Sequence, residues 1–596
     1  MNASGVSAAL VAVAVLVTGM GLLGCSPLDP HRCHAETSRS DAPIAVTHFH
    51  GDARRMGWEL TEGELTADAL RRRGLTRAWR STPLDAAVLG GVRYPPLIYA
   101  APLYLDDVVV STSTLAEVTL DLAFVVTSNG WLYAIATGGE APCGVARGDI
   151  VYRRQLVTPQ PIERLDGGVP MGILSTPVID RVGGRIYVAA HDATVGWSLF
   201  ALELGSGATL PGWPVTIDDA SLAPVNRNGP ARFLAPEHMS QRGALQLSPS
   251  ADRVYVAFGT YWGNGVGWLV AVDTQRVRIA DAFSSAPETE AISSGGIWGS
   301  AGPAIAEDGS VWATTGNAPG SGQAPGSWGS SLLSLSRALV LERIYTPFNW
   351  CVLDERNMDL GASQPVLLTL DGTTTPNVAA FGGKQGVVYL VDRDTMSPPG
   401  PGRPPCRDDA ATDTSLHGPD VQPAYGSPGP LSVFGPYSDV FGEIDHAKMR
   451  TKLAVYRRQG ETYLFATGTT KASEESTDNV APSVVRLRVA TGDDGGAYLT
   501  IDGDNPDVVM HNPGSPVVSG QDGAVVWVLD RNAPRMAPLL DPATPGPVLY
   551  AFDAANLDLL WQSSPLSPSG KYHHPVVVHG HVLVATDRLE AFALAE

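Results

Sequence analysis

Residues 124–135 read FVVTSNGWLYAI: an apolar strand, an Asn-Gly pair and a second apolar strand. Asn129 and Gly130 suit the positive φ angles that a two-residue hairpin demands. A phrase of this kind recurs about eight times, opening with a small residue, proline and an apolar residue. Successive copies begin near Pro102, Pro177, Pro249, Pro303, Pro365, Ala454, Pro516 and Pro575. Long repeats that each hold several short strands are typical of propeller blades.

The two ends of the chain predict how the ring closes. The last repeat stops at Glu596 without an outer strand such as Leu559–Gln562. A matching segment, Leu75–Arg80, lies far upstream and would remove the unpaired edge if it completed the last blade. The alternative is that Trp79 only covers the rim. We therefore predict an all-β fold: an eight-bladed β-propeller of four-stranded antiparallel sheets, closed by an N-terminal strand, with one short helix at Thr66–Arg73.

Composition and charge limit the possible partners. The chain of 596 residues holds 64 Gly and 47 Pro, which suits short strands joined by many turns. Its net charge is −20, from 41 basic and 61 acidic residues. Phosphate binding depends on clustered positive charge, and the basic cluster Arg71–Arg73 is short. We expect no nucleic-acid partner, and instead a protein partner or a small molecule on the propeller face.

Residues 1–24 are predicted to be a lipoprotein signal peptide. Ala8–Val17 is apolar, and the sequence LLGC ending at Cys25 matches the bacterial lipobox, in which this cysteine becomes the lipidated first residue. The alternative is a membrane-spanning helix, but glycines after Val17 interrupt the apolar run. Met1–Ser7 lacks the usual Lys or Arg. We expect an extracytoplasmic protein, in the periplasm or at the cell surface, attached to a bacterial membrane only through this lipid.

The rest of the chain divides into two parts. Residues 25–74 are predicted to be a tether and irregular segment, and residues 75–596 the propeller, with a long rim loop at the Pro-rich residues 396–450. Several histidines lie in segments that would meet near the ring seam: His48, His50, His573, His574, His579 and His581. Imidazoles at such spacings could bind a metal. We expect these histidines on the surface instead.

Four cysteines besides Cys25 are disulfide candidates: Cys33, Cys143, Cys351 and Cys406. An even number in an oxidising compartment favours disulfides, and four cysteines allow three pairings. Cys351 and Cys406 flank one blade, so they are a candidate pair that would leave Cys33 with Cys143. The spacing leaves the other pairings open.

Three short segments within the repeats contain residues suited to bind a cofactor. They are GGIWG at 295–299, TGN at 315–317 and GKQG at 383–386. Together with the repeats over residues 95–596, they resemble the quinoprotein-type propeller, whose enzymatic members bind pyrroloquinoline quinone (PQQ). The resemblance implies that Trp298 underlies the quinone ring, Asn317 gives an oxygen to calcium and Lys384 contacts the quinone oxygens. An aromatic floor suits a planar cofactor, a hard cation takes amide oxygens, and a lysine stabilises a reduced quinone.

The resemblance is incomplete at the catalytic aspartate of the enzymes. By alignment this position falls on Asn357 or Met358, neither of which is a base. Asp359 lies one or two positions away, and a shift of one along a strand would point it to the other face. The vicinal Cys-Cys pair of many such enzymes is absent from the sequence. Asp192 is the candidate in place of their calcium-binding glutamate.

Each of these residues also has an ordinary structural explanation. Trp298 could serve propeller packing, Asn317 a turn, and Lys384 an exposed hairpin. We therefore predict a binding or scaffold role with an incomplete catalytic set. The alternative is a PQQ- and calcium-dependent dehydrogenase that oxidises an alcohol or sugar. In that case Asp359 is the base, Trp298 and Lys384 bind the cofactor, and Asn317 and Asp192 bind the metal.

Overall fold

The structure, a computed structural model, describes residues 43–139, 142–163, 165–234, 239–260, 265–287, 293–406, 429–434, 448–468, 483–535 and 537–596. The predicted signal peptide, Cys25, Cys33 and much of the predicted rim loop lie outside these residues. The described strands form eight antiparallel sheets, the blades of a β-propeller. The predicted fold class is confirmed.

Blades 1 to 4 each consist of consecutive antiparallel strands, which follow one another from the axis outwards. Blade 1 comprises Leu103–Val110, Val118–Val126, Trp131–Ala136 and Ile150–Gln155. Blade 2 comprises Val178–Asp180, Arg185–Asp192, Gly196–Glu203 and Val215–Ile217. Blade 3 comprises the short pieces Met239–Ser240 and Gln246–Leu247, then Arg253–Thr260, Trp268–Asp273 and Arg278–Ser284. Blade 4 comprises Ala304–Ile305, Val311–Thr314, Leu332–Leu335 and Leu341–Tyr345.

Blades 5 to 8 follow the same plan. Blade 5 comprises Val366–Thr369, Asn377–Gly382, Val388–Asp392 and Ser432–Phe434. Blade 6 comprises Ala454–Arg458, Glu461–Thr467, Val484–Thr491 and Ala497–Asp504. Blade 7 comprises Val517–Ser519, Val525–Asp530, Val548–Asp553 and Leu559–Gln562. Blade 8 comprises Val576–Val578, His581–Ala585, Leu589–Leu594 and, as its outer strand, Leu75–Arg80.

The N-terminal strand closes blade 8, as predicted. Leu75–Arg80 pairs antiparallel with Leu589–Leu594. The predicted helix, Ala67–Arg73, leads into this strand; the Thr66 side chain accepts a hydrogen bond from the Ala69 backbone nitrogen (3.2 Å). The ring seam is therefore joined by backbone hydrogen bonds, which removes an exposed strand edge.

The remaining described elements are short. They are the hairpin Ala87–Leu89 and Val92–Tyr94, the parallel pair Gly265–Val266 and Ser293–Ser294, the α-helices Asp219–Leu222 and Trp350–Glu355, and the 3-10 turns Pro142–Gly144 and Ala223–Val225. None of the helices in the described ranges is long and apolar enough to cross a membrane.

The core is divided among the interfaces between blades. Eight apolar clusters each join two neighbouring blades, which requires a closed ring. Trp268 belongs to the cluster between blades 2 and 3, and Trp527 to the cluster between blades 7 and 8; both are fully buried. Burying such a side chain contributes on the order of 2–3 kcal/mol. Trp79 packs, partly buried, between blades 8 and 1.

Residues 44–59, part of the predicted irregular segment, lie at the propeller axis; we call them the axial segment. Ala45–Val46 pairs antiparallel with the first strand of blade 1, and Trp58–Glu59 pairs parallel with that of blade 7. Carbonyls between these two strands accept hydrogen bonds from blades 2, 4 and 6. The donors are the backbone nitrogens of Ile179, Ile305 and Val455, and the acceptors are Thr47, Ala53 and Met56, at 3.0, 3.0 and 2.8 Å. The axis is therefore bridged by chain that precedes the first blade.

Two cations are buried at the axis. The Arg55 guanidinium is fully buried and donates to backbone carbonyls, including those of Phe49 (3.0 Å) and Leu245 (2.9 Å). Burial lowers the pKa of Arg55 to about 9, so this side chain still carries its charge at neutral pH. The Lys452 ammonium donates to the carbonyls of Gln364 and Pro365. Burial lowers the pKa of Lys452 well below its usual value. Backbone carbonyls thus take the place of water around both side chains.

The histidines expected on the surface include three that are buried at the axis. His50, His573 and His574 are each 2% exposed. The His50 backbone nitrogen donates to His574 Nε2 at 3.1 Å, across 524 positions of sequence. The surface prediction was wrong for these three residues, because the axial segment places the start of the chain against the entrance to blade 8. In the described part of the chain, no group of three or more His, Cys, Asp or Glu side chains is arranged to hold a metal ion.

Candidate functional site

Four of the predicted site residues meet at one end of blades 4 and 5. Trp298 lies on the segment that enters blade 4, and Asn317 follows the second strand of that blade. Asp359 lies on the segment that enters blade 5, and Lys384 follows the second strand of that blade. The start of a first strand and the end of the second strand share one edge of an antiparallel sheet. These positions therefore meet at the same edge of two neighbouring blades.

The Asp359 carboxylate joins the other three residues. Its Oδ1 accepts hydrogen bonds from the Asn317 backbone nitrogen (3.0 Å) and from Trp298 Nε1 (3.5 Å). Its Oδ2 forms an ion pair with Lys384 Nζ. Lys384 Nζ lies 5.4 Å from the centroid of the Trp298 ring and also donates to Asn357 Oδ1 at 3.2 Å. Asp359 lies in irregular chain ahead of the first strand of blade 5, so the alternation of strand faces does not apply to it.

Glycines allow these segments to approach one another closely. The Gly316 backbone nitrogen donates to the Gly296 carbonyl at 2.9 Å, and the Gly295 nitrogen donates to the Asn317 carbonyl at 2.9 Å. A Cβ atom at Gly316 would collide with Asp359 Oδ1. The Gly-rich sequence around Trp298 and Asn317 therefore brings the entrance and the second strand of blade 4 together, and it leaves room for the Asp359 side chain from blade 5.

Burial strengthens the charge pairing in this cluster. The Asp359 side chain is 7% exposed and that of Lys384 is 13% exposed, while Trp298 is half-buried. Burial lowers the pKa of Lys384, and the neighbouring charges of Arg450 and Arg535 lower it further, whereas the Asp359 carboxylate opposes this shift. Burial therefore disfavours the charged form of Lys384, and the ion pair with Asp359 opposes that effect.

A buried ion pair supports Asn317 from behind, and the sequence analysis did not identify it. Asp354 Oδ1 accepts hydrogen bonds from the Ala318 backbone nitrogen (2.9 Å) and from Ser330 Oγ (3.0 Å). Arg403 Nη1 contacts Asp354 Oδ2 at 2.7 Å. Burial raises the pKa of Asp354, and the Arg403 charge opposes that shift. Because Asp354 binds the residue after Asn317, this pair fixes one wall of the site.

The disulfide Cys351–Cys406 joins the two segments that carry this ion pair. Its Cα atoms are 5.9 Å apart, and the predicted pairing of these cysteines is confirmed. The two segments also contact each other directly, because the Arg403 guanidinium stacks on the Trp350 ring, with Cζ 3.7 Å from the ring centroid. Cys143 is also disulfide-bonded, and its predicted partner Cys33 lies outside the described residues. The sequence offered one indication of this ion pair, because Arg403 lies close to Cys406, a cysteine of the predicted disulfide.

Asp192, the fifth predicted residue, lies in blade 2, away from this cluster. Its Oδ1 accepts from the Thr194 backbone nitrogen (2.9 Å), and its Oδ2 accepts from the Thr158 backbone nitrogen (2.8 Å). Burial would raise the pKa of Asp192, but hydrogen bonds from Thr194, Thr158 and Val195 outweigh it and lower the pKa to about 2. These contacts are typical of a hairpin residue, and the role of Asp192 as a metal ligand stays a prediction.

Solved structures with a similar backbone share this architecture. A quinohemoprotein alcohol dehydrogenase of Comamonas testosteroni aligns with 93% of this chain and 81% of its own, with a TM-score of 0.53 and 13% identity. A second such dehydrogenase, from Pseudomonas putida, aligns with 92% and 80%, with a TM-score of 0.52 and 13% identity. A europium-containing methanol dehydrogenase aligns with 91% and 89%, with a TM-score of 0.51 and 14% identity.

The chain has the propeller fold of these quinoproteins. No protein-family model matches its sequence, and no curated protein matches it either. Identities of 13–14% carry the likeness of fold and nothing finer. Any assignment of chemistry therefore depends on the side chains of the site itself.

Proposed function

We propose that this chain is an extracytoplasmic binding protein of the quinoprotein propeller type, and that its site at blades 4 and 5 binds PQQ. The observation that carries the proposal is the Asp359 carboxylate, which contacts Trp298, Asn317 and Lys384 together. These residues come from four separate segments, so propeller packing alone does not require that they meet. For a scaffold role, we propose that a protein partner binds to the same face of the propeller.

The residues fit the quinone part of the cofactor. Trp298 is half-buried, so part of its indole is accessible to a flat heteroaromatic ring. Lys384 Nζ, already beside this ring, would donate to a quinone carbonyl at its edge. PQQ is a tricarboxylic acid, and Arg450 and Arg535 add positive charge near Lys384. When bound, PQQ supplies two-electron redox chemistry at its quinone carbonyls.

The residues fit a calcium ion less well. Calcium takes six to eight oxygen ligands. Of the predicted metal ligands, Asn317 lies in this cluster and Asp192 lies in blade 2. The carboxylate beside Asn317 is that of Asp359, the predicted base, which is already paired with Lys384. A divalent cation and the Lys384 ammonium would therefore compete for one carboxylate. We propose that PQQ binds here with little dependence on calcium.

One observation favours dehydrogenase activity as a second candidate. A general base must be ionised and must lie within hydrogen-bond reach of the proton that it takes. Asp359 contacts both the edge of the Trp298 indole and Lys384, so it is placed to accept a hydroxyl proton from an alcohol or sugar bound there. Because Lys384 already occupies one oxygen of Asp359, we propose binding as the first candidate and oxidation as the second.

Replacing Trp298 with alanine should weaken PQQ binding about tenfold or more, because the aromatic floor is lost. The measurement is a titration of the purified protein with PQQ, followed by quenching of tryptophan fluorescence, with and without Ca²⁺. Trp561→Phe, which changes a tryptophan on the outer strand of blade 7, is the control. Absence of saturable binding at micromolar PQQ in the unchanged protein would remove the proposal. Dye-linked oxidation of a panel of alcohols tests the second candidate.

We propose further that the protein is attached to a bacterial membrane through a lipid on Cys25. The support is the LLGC sequence that ends at this cysteine after an apolar run. Cys25→Ala should move the protein from the membrane fraction to the soluble fraction, because one N-terminal lipid group is the proposed attachment. Immunoblotting of separated fractions measures the shift, and an unchanged distribution contradicts the proposal.

A further inference from the structure

Several buried polar atoms near the axis have no hydrogen-bond partner in the described part of the chain. They include both side-chain amide atoms of Asn512, the Tyr572 hydroxyl, Arg242 Nη2 and Arg531 Nε. Asn512 is 0% exposed and Tyr572 is 2% exposed. Buried polar atoms in native proteins are almost always satisfied, by protein, water or a ligand. Such atoms are therefore available to hydrogen-bond with water or with a ligand.

These atoms belong to segments that converge on the axis. Arg242 lies between the two short pieces that begin blade 3, Asn512 precedes the first strand of blade 7 and Tyr572 precedes that of blade 8. The Arg242 guanidinium carbon lies 5.2 Å from the centroid of the Tyr572 ring. The Arg531 backbone nitrogen donates to the Asn512 carbonyl at 3.2 Å. The unsatisfied atoms thus come from the entrances to blades 3, 7 and 8 and from the end of the second strand of blade 7.

The same segments adjoin the Trp298 site. The Tyr572 carbonyl accepts hydrogen bonds from Ser300 Oγ (3.0 Å) and from Ser515 Oγ (3.4 Å). Ser300 is two residues after Trp298, and Ser515 is three residues after Asn512. The entrance to blade 8 therefore contacts the entrance to blade 4 near the axis. A ligand larger than one ring on Trp298 would extend toward Tyr572.

The local charge favours an anion, although the whole chain carries −20. The Asp166 carboxylate is already bound by Lys571 and lies 3.8 Å from Arg531 Nη1. Arg242 forms no ion pair with any described residue. Burial lowers the pKa of Lys571, and the positive charge of Arg242 lowers it further. The positive charges of Arg450 and Arg535 act on Lys384 and lower its pKa. The Asp530 carboxylate also lies here and accepts hydrogen bonds from the backbone nitrogens of His511 and Asn512. Among the described residues, the attraction for an anion therefore comes from Arg242, which pairs with no described carboxylate.

We propose that Arg242, Asn512 and Tyr572 form a carboxylate-binding subsite beside Trp298. A guanidinium presents paired N–H donors that match the two oxygens of a carboxylate. The Asn512 amide and the Tyr572 hydroxyl supply neutral donors, so the subsite recognises the shape of the group as well as its charge. The carboxylate belongs either to PQQ, which rests on the proposed function, or to a small organic acid that binds independently.

The test compares Arg242→Gln with Arg278→Gln, a control on the exposed outer strand of the same blade. Each protein is titrated with PQQ and, separately, with citrate and its uncharged trimethyl ester at fixed ionic strength. Calorimetry measures binding, and thermal melts show that the variants are folded. We expect Arg242→Gln to weaken binding of the acid about tenfold or more, Arg278→Gln to leave it unchanged, and the ester not to bind.

The results distinguish PQQ from a separate organic acid as the source of the carboxylate. They also distinguish failure of the subsite from failure of the proposed function. Loss of PQQ affinity alone assigns the carboxylate to the quinone, whereas loss of citrate binding in the absence of PQQ assigns it to a separate acid. If the unchanged protein binds citrate but not PQQ, the subsite stands and the proposed function fails. If Arg242→Gln is unstable, Tyr572→Phe replaces it and should weaken binding about threefold or more. Unchanged affinity for both acids in the folded variants overturns the subsite.

Discussion

Replacing Arg403 with methionine is expected to lower the free energy of unfolding by about 3–5 kcal/mol, because the variant leaves an unpaired carboxylate in the interior. The Arg403 side chain is 0% exposed and that of its partner Asp354 is 6% exposed. Arg403 also donates to Ser321 Oγ (2.9 Å) and to the Gly322 carbonyl (2.8 Å), so its loss leaves further groups unsatisfied. Urea unfolding, followed by circular dichroism, measures the change.

The matched control removes both charges. Arg403→Met combined with Asp354→Asn should recover a large part of the lost stability, since no isolated charge is then buried. Arg278→Met, at an exposed residue that begins the outer strand of blade 3, should change stability by less than about 0.5 kcal/mol. A loss below about 1 kcal/mol for Arg403→Met alone contradicts the structural argument. If the single variant stays folded, weaker PQQ binding by it would show that Asp354 positions Asn317.

The blades could be predicted because each carries its own local signal. The strand, turn and strand phrase recurs in every blade, and the Asn129-Gly130 pair marks its hairpin without reference to distant residues. Closure was also predictable, because Leu75–Arg80 supplies the outer strand that the last repeat lacks. These inferences rest on periodicity and on the cost of an unpaired edge, both of which the sequence contains.

The axial segment could not be predicted in the same way. Residues 44–59 contain no repeat, and their hydrogen bonds go to first strands of several blades. His50 packs against His574 with ring centroids 4.7 Å apart, a contact that no local pattern signals. The Arg403–Asp354 pair likewise joins positions 49 residues apart through a loop. Contacts between irregular segments depend on the assembled ring. The sequence therefore shows which residue types are present but not which of them come into contact.

The candidate site could be predicted from the sequence only in part. The resemblance identified Trp298, Asn317 and Lys384 from short motifs, and the structure brings them together. Asp359 was uncertain from alignment because the catalytic position falls on Asn357 or Met358. The turn that follows Trp350–Glu355 places Asp359 inward, and a strand register could not have revealed this. Short motifs thus located the cluster, and irregular chain determined its central residue.

Acidification from pH 6.5 to pH 4.5 is expected to lower the free energy of unfolding by about 4 kcal/mol through His573 and His574 together. Burial lowers the pKa of His573 to about 4 and that of His574 to about 3. Both are therefore neutral in the folded protein, whereas the unfolded chain binds their protons below about pH 6.5. Stability is present above that pH and is lost as the pH falls toward the folded pKa values. Burial also lowers the pKa of His50, which adds to the loss.

The control is His573→Gln, which removes one titrating group but keeps a donor for the Ala585 carbonyl, bound by His573 Nε2 at 3.0 Å. Urea unfolding at pH 6.5, 5.5 and 4.5 gives the slope for each protein. The variant should lose stability less steeply, by about 1 kcal/mol per pH unit, because up to one proton fewer is taken up on unfolding. Aspartates titrate mostly below this window, so the histidines dominate the difference. Equal slopes for both proteins would contradict the prediction, because they would mean that His573 takes up no additional proton on unfolding.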